Sequence, residues 1–126
     1  MSWFDIAKGV FKDCDRLTNI TIPDSVRGIS SSAFESCSSL TSVTIGDSVT
    51  SIGEYAFRYC SSLTSVTIGD SVESIGYMAF FSCNSLTSVY YTGSESEWQN
   101  IGIGNYNSML PGAQIEYDNV PPIMLP

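Results

Sequence analysis

The sequence predicts an α/β repeat solenoid, a stack of 23-residue units with short parallel strands on one face and short helical turns on the other. Three observations predict it. Cys14, Cys37, Cys60 and Cys83 follow one another at gaps of 23 residues. Nine or more columns keep that register, among them Leu17, Leu40, Leu63 and Leu86, and Phe11, Phe34, Phe57 and Phe80. Within one unit, a run alternating with period two gives way to apolar residues at helical offsets. A fixed period of this length marks units that bury their faces only against neighbouring copies.

Each element follows in order. Leu63-Thr64-Ser65-Val66-Thr67-Ile68 alternates apolar with hydroxylic residues, the pattern of a short strand with one face inward. Gly69-Asp70-Ser71 supplies turn chemistry. Ile75, Ala79, Phe80 and Cys83 have the offsets of one face of a short helix. The expected strands are therefore Leu17–Ile22, Leu40–Ile45, Leu63–Ile68 and Leu86–Tyr91, paired in parallel in a single right-handed stack of about four and a half units.

The ends depart from the period. Residues 1–13 form an N-terminal half-unit or cap, with Trp3 and Ile6 in the Val26 and Ile29 columns. Residues 14–93 carry the repeats, and 94–117 form a C-terminal capping segment. There Ser94 and Glu97 have capping-box spacing, and Trp98, Ile103 and Met109 fall in the Ile75, Phe80 and Leu86 columns. Gln114-Ile115-Glu116-Tyr117 is a last strand slipped by three residues. Residues 118–126, with Pro121, Pro122 and Pro126, are a tail expected to be extended and partly mobile.

Composition narrows the function. Of 126 residues, 43% are hydrophobic, enough for a core, and 14% are charged. Five basic against 13 acidic residues give a net charge of −8, which argues against nucleic acid and against anionic membranes. No apolar run is long enough to insert into a bilayer. The absence of histidine removes Ser-His and Cys-His catalysis and the commonest zinc ligand. No catalytic residue, cofactor or metal is expected. Met1-Ser2-Trp3-Phe4-Asp5 lacks the basic and apolar regions of a signal peptide. Two readings stay open: a protein that remains in the cytoplasm, or a trimmed piece of an exported one.

The cysteine and aspartate columns each have a functional alternative. A constant gap sets the four sulfurs in a row at strand spacing instead of converging them on a metal. That spacing admits a disulfide, but parallel Cβ vectors keep the side chains wider than a disulfide prefers. Four buried, reduced thiols are the expectation, with disulfide and metal as alternatives. Asp24, Asp47 and Asp70 form another ladder that invites calcium, yet no calcium-loop motif accompanies them. They are expected to be turn residues.

The strand L-x-x-[VI]-x-[IY], as in Leu40-Thr41-Ser42-Val43-Thr44-Ile45, resembles the leucine-rich repeat. The whole unit, seen most fully from Ile52 to Val72, closely resembles the BspA-like (Treponema-type) leucine-rich repeat, with its Ile-Gly, Ala-Phe, Cys and Ser-Leu-Thr-Ser positions. The resemblance covers roughly Trp3 to Tyr91 and departs at the first unit, where Pro23 replaces Gly. It implies a bacterial or protist surface or secreted protein engaged in adhesion and binding of protein or glycan.

Columns that vary point to where a partner sits. Tyr55, Tyr59, Tyr77 and Phe81 replace Ser32, Ser36, Ser31 and Lys12, so the repeat does not require an aromatic there. Tyr90 replaces Thr67 on the otherwise small and polar strand face. These five residues are the expected binding residues. A binding module leads, ahead of a structural spacer within a longer array or a solenoid that associates end to end, and ahead of an enzyme, for which a uniform stack offers no evident cleft.

Overall fold

The computed structural model describes residues 4–117. Trp3 and the Pro-rich tail lie outside the described residues. The chain winds into a stack of coils, and two parallel sheets run along it. One contains β2 (Asn19–Thr21), β4 (Ser42–Ile45), β6 (Ser65–Ile68), β8 (Ser88–Tyr91) and β10 (Gln114–Glu116), in that spatial order. The other contains β1 (Phe4–Ile6), β3 (Val26–Ile29), β5 (Ser51–Ile52), β7 (Ser74–Ile75) and β9 (Gly102–Ile103). Two short helices, α1 (Glu95–Gln99) and α2 (Met109–Gly112), belong to the C-terminal end.

The expected stack of parallel strands is borne out. Register is in step with the period: Val43 pairs with Val66 and Val66 with Val89. The strands are shorter than expected because the leucine ahead of each one bends back. Leu40, Leu63 and Leu86 N–H donate to the carbonyls of Cys37, Cys60 and Cys83 in their own coils. Strand ends that turn on themselves cannot also extend the ladder. The column ahead of each strand is hydroxylic for a related reason. Thr41 Oγ1 donates to Thr18 O at 2.9 Å, and Thr64 Oγ1 to Thr41 O at 3.0 Å, stitching coil to coil on the exposed face.

The second face differs in detail from the helical turns expected of it. Ile52 and Ile75 belong to two-residue strands, and the residues after them form consecutive tight turns. In this segment the N–H groups alternate between two kinds of partner. Ala56, Arg58 and Cys60 donate three residues back within the coil, to Gly53, Tyr55 and Phe57. Tyr55, Phe57 and Tyr59 donate to the next coil, at Tyr77, Ala79 and Phe81. A helix would use every N–H internally. Committing every second one to the neighbouring coil requires the left-handed backbone seen at Tyr55 and Tyr59, with φ of 62° and 64°.

The core lies between the two sheets. Phe11, Phe34, Phe57 and Phe80 stack with successive ring centres 5.2 Å apart, and the last three are fully buried. Gly53 and Gly76 let coils approach: a Cβ on Gly76 would stand 2.5 Å from Glu54 N. The cysteines are free. Cys37, Cys60 and Cys83 are buried, and each Sγ donates to the carbonyl of the phenylalanine one coil back, at 3.1–3.2 Å. Cys14 is only half-buried, because it lies in the first coil.

At the C-terminal end the capping box forms, with Ser94 Oγ accepting from Glu97 N and Glu97 Oε1 accepting from Ser94 N. The last strand has the expected slip of three, since Gln114 pairs with Ser88. Column placement in between needs correction. Ile103 pairs with Ile75, so it takes the position expected of Trp98 and not that of Phe80. Helix α1 inserts residues ahead of β9 and shifts the register. Trp98 packs edge-on against Tyr91 with ring centres 5.2 Å apart. Met109 is half-buried and its neighbour Leu110 is completely buried.

Candidate functional site

The consecutive turns after β5, β7 and β9 place aromatic side chains from successive coils side by side. Tyr55 meets Tyr77 edge-on with ring centres 5.8 Å apart, and Tyr59 meets Phe81 at 6.1 Å. Both pairs end on Tyr106, which lies 5.6 Å from Tyr77 and 6.3 Å from Phe81. Tyr59, Tyr77 and Tyr106 are exposed, and Tyr106 is the most open of the three at 59%. The edge-to-face geometry suits the ring quadrupoles.

A charged strut stands behind the rings. The Arg58 guanidinium lies 4.2 Å from the Tyr55 ring centre and 5.0 Å from that of Tyr59. Its Nε donates to Glu35 Oε2 at 2.6 Å, and Nη2 reaches the same oxygen. Glu35 is 3% exposed, and Lys12 Nζ lies 3.9 Å from its other oxygen. Burial pushes the Glu35 carboxyl up, but hydrogen bonds from Arg58 and Ser32 and the charges of Arg58 and Lys12 outweigh it and hold the group below its ordinary value.

Four of the five expected binding residues thus come together: Tyr55, Tyr59, Tyr77 and Phe81. Tyr90 stands apart from them. It is exposed on β8, where it pairs with Thr67 of β6, and takes no part in these ring contacts. Sequence reasoning missed Tyr106. It lies where the period has decayed, so no column points to it, and only the turn after β9 carries it to Tyr77.

Sequence reasoning also missed Asn107, which closes the ladder beneath the rings. Its Oδ1 accepts from Phe80 N at 2.9 Å, while Nδ2 donates to Gly76 O at 3.0 Å and Gly104 O at 2.8 Å. In the preceding coils the corresponding phenylalanine N–H donates to a backbone carbonyl, Ala56 O for Phe34 and Ala79 O for Phe57. One buried amide side chain replaces the backbone of a missing coil.

The profile of the BspA type leucine-rich repeat region matches residues 3–108 of this chain in six copies. A leucine-rich repeat protein from Bacteroides ovatus ATCC 8483 is similar over 91% of the chain, with 28% identity and a TM-score of 0.64. The chain spans 31% of that protein's length. The leucine-rich repeat protein of T. pallidum shares the fold, with 23% identity, a TM-score of 0.50, and coverage of 96% of this chain and 73% of that one. No curated protein matches the sequence.

Proposed function

The chain belongs to the BspA-type leucine-rich repeat family, and from that premise we propose that it is a non-catalytic, adhesion-type module of a bacterial or protist surface protein that binds protein or glycan. One observation carries the reading: three of the clustered rings, Tyr55, Tyr59 and Tyr106, occupy left-handed backbone with φ of 62°, 64° and 64°. Left-handed backbone disfavours bulky residues and suits Gly or Asn. Local stability does not select tyrosine there, and the equivalent positions of other coils hold Ser32, Ser36 and Met78. Rings held against local preference and grouped at the surface have the makings of interface anchors. Arrays of host extracellular proteins and glycans, probed with the wild type and with Tyr77→Ser/Phe81→Ser, test this. Binding lost by the double variant supports the platform, and undiminished binding overturns it.

A second reading rests on the opposite end. Val10 is 53% exposed and Phe11 37%, and Leu17 and Ile20 are half-buried, whereas Phe34 and Leu40 in the next coil are wholly buried. Among the described residues no coil covers this face, and β1 and β2 are open sheet edges. Such a face favours end-to-end self-association. Solution mass that rises with concentration supports it, and a monomer throughout the range rejects it.

A further inference from the structure

The first coil ends the stack on a row of backbone acceptors. From Gly9 to Cys14 every N–H is taken. Val10, Lys12 and Cys14 donate within the coil, to the carbonyls of Ala7, Gly9 and Phe11. Gly9, Phe11 and Asp13 donate to Ser31, Ala33 and Glu35 O of the second coil. The second coil treats the third in the same way, with Ser32, Phe34 and Ser36 donating to Glu54, Ala56 and Arg58 O. The turn segments therefore share one polarity: their cross-coil N–H groups point toward the C-terminal end, and the carbonyls that receive them point back. One period before Ser31, Ala33 and Glu35 stand Lys8, Val10 and Lys12. Among the described residues nothing donates to the carbonyls of these three. Beside the row, the Phe11 ring stacks on Phe34 with centres 5.2 Å apart, and among the described residues no ring covers its other face.

Polarity selects what can cover this row. Carbonyls accept and do not donate, so the occupant must bring N–H groups at alternate residues. It must also bring apolar side chains over Phe11, Leu17 and Ile20. A second copy set face to face presents the same three acceptors, so association through the edges of β1 and β2 leaves the row unmet. The C-terminal end of a copy has no matching row of donors either. There the N–H groups of Met78 and Phe80 are taken by Asn105 O and Asn107 Oδ1, and Leu110 N–H bonds back to Asn107 O. A segment of another polypeptide, wound as one coil of this repeat, has both the donors and the apolar columns. Pairing of an added segment along an exposed backbone edge is a general mode of peptide recognition.

We propose, on the same open face as self-association but with a different occupant, that the first coil binds a segment of another polypeptide laid on as one further coil. Its alternate N–H groups donate to the carbonyls of Lys8, Val10 and Lys12, and its apolar residues cover Phe11, Leu17 and Ile20. Fluorescence anisotropy of a labelled peptide with the sequence of residues 26–45, carrying Cys37→Ser, tests this against the full chain. That stretch holds one coil, with Ser32, Phe34 and Ser36 as the donors. Saturable binding is expected. An ester in place of the amide at Phe34 of the peptide removes one N–H and no side chain, and should weaken binding about fivefold. Val10→Asp in the protein sets an unpaired charge beneath the added coil and should weaken binding about tenfold. Glu73→Gln, an exposed change on the connection from β6 to β7, should leave it unchanged. At saturation Cys14 should react more slowly with a thiol reagent, because the peptide covers its coil. A monomer that binds the peptide supports the proposal and rejects self-association alone. No saturable binding, or equal affinity for the ester and amide peptides, overturns the proposal. A solution mass that doubles without peptide, with Cys14 already protected, assigns the face to a second copy and overturns it too.

Discussion

Arg58 joins Glu35, its neighbour one coil back, through a hydrogen bond from Nε to Oε2 of 2.6 Å. The pair turns a buried carboxylate into the support of a surface ring cluster, because the same guanidinium lies against Tyr55 and Tyr59. Removing one partner of a buried pair strands the other charge. Arg58→Ala should cost about 3 kcal/mol, read from urea unfolding at neutral pH. The sign of the pH effect follows from the depressed carboxyl of Glu35. Its contribution is complete above the unfolded-state value and is lost as pH falls below about 4. The wild type should therefore lose stability on the acid side, and Arg58→Ala should lose less there. Parallel acid limbs for the two proteins would contradict the pairing.

Phe57 stacks between Phe34 and Phe80 with both ring centres at 5.2 Å and is fully buried. Phe57→Ala should cost about 3–5 kcal/mol, the usual penalty for truncating a core aromatic. Phe11→Ala, at the open end of the same column, should cost markedly less. Chemical denaturation of the two variants checks the contrast, and equal losses would mean that the end coil is covered.

The thiols should react in an order set by burial. Burial pushes Cys83 up to about 12, and the adjacent Cys37 thiol together with burial raises Cys60 as well. Thiolate is the reactive form, so both are expected to be inert to a thiol reagent in the native state. Cys14, half-buried, should react first. Denatured protein should titrate all four without reductant, and a smaller number would reveal a disulfide.

Asn107→Ala leaves Phe80 N–H and Gly76 O without their side-chain partner. Each buried orphan costs about 1–3 kcal/mol, so a total loss of about 2–6 kcal/mol is expected, with faster hydrogen exchange at Phe80. Asn107→Asp keeps the acceptor but lacks the donor, and should recover only protection at Phe80. Unchanged exchange in the alanine variant would reject the closing role.

The stack was legible in the sequence wherever a residue repeats its environment. Val43, Val66 and Val89 share one register, so one pattern predicts all three. The helical turns were misjudged in detail because Ile75, Ala79, Phe80 and Cys83 have helical offsets, whereas the N–H groups between them serve two coils. Offsets report which side chains face inward and not where the backbone bonds go. Ring positions within a coil were visible as breaks in columns, hence Tyr55, Tyr59, Tyr77 and Phe81. Tyr106 and Asn107 lie beyond the periodic region, and their roles come from a register shift made by α1. Tyr90 breaks a column in the same way but lies on the other sheet, which a column alone does not distinguish.

The ring platform is tested most directly by a variant that removes rings without disturbing the fold. Tyr59 and Tyr106 are exposed and sit at φ of 64°, where asparagine is better tolerated than tyrosine. Tyr59→Asn/Tyr106→Asn should match or exceed the wild type in denaturant midpoint, while affinity for whichever array ligand is recovered falls at least tenfold. Reduced stability with unchanged affinity would contradict the platform and make the tyrosines part of the scaffold.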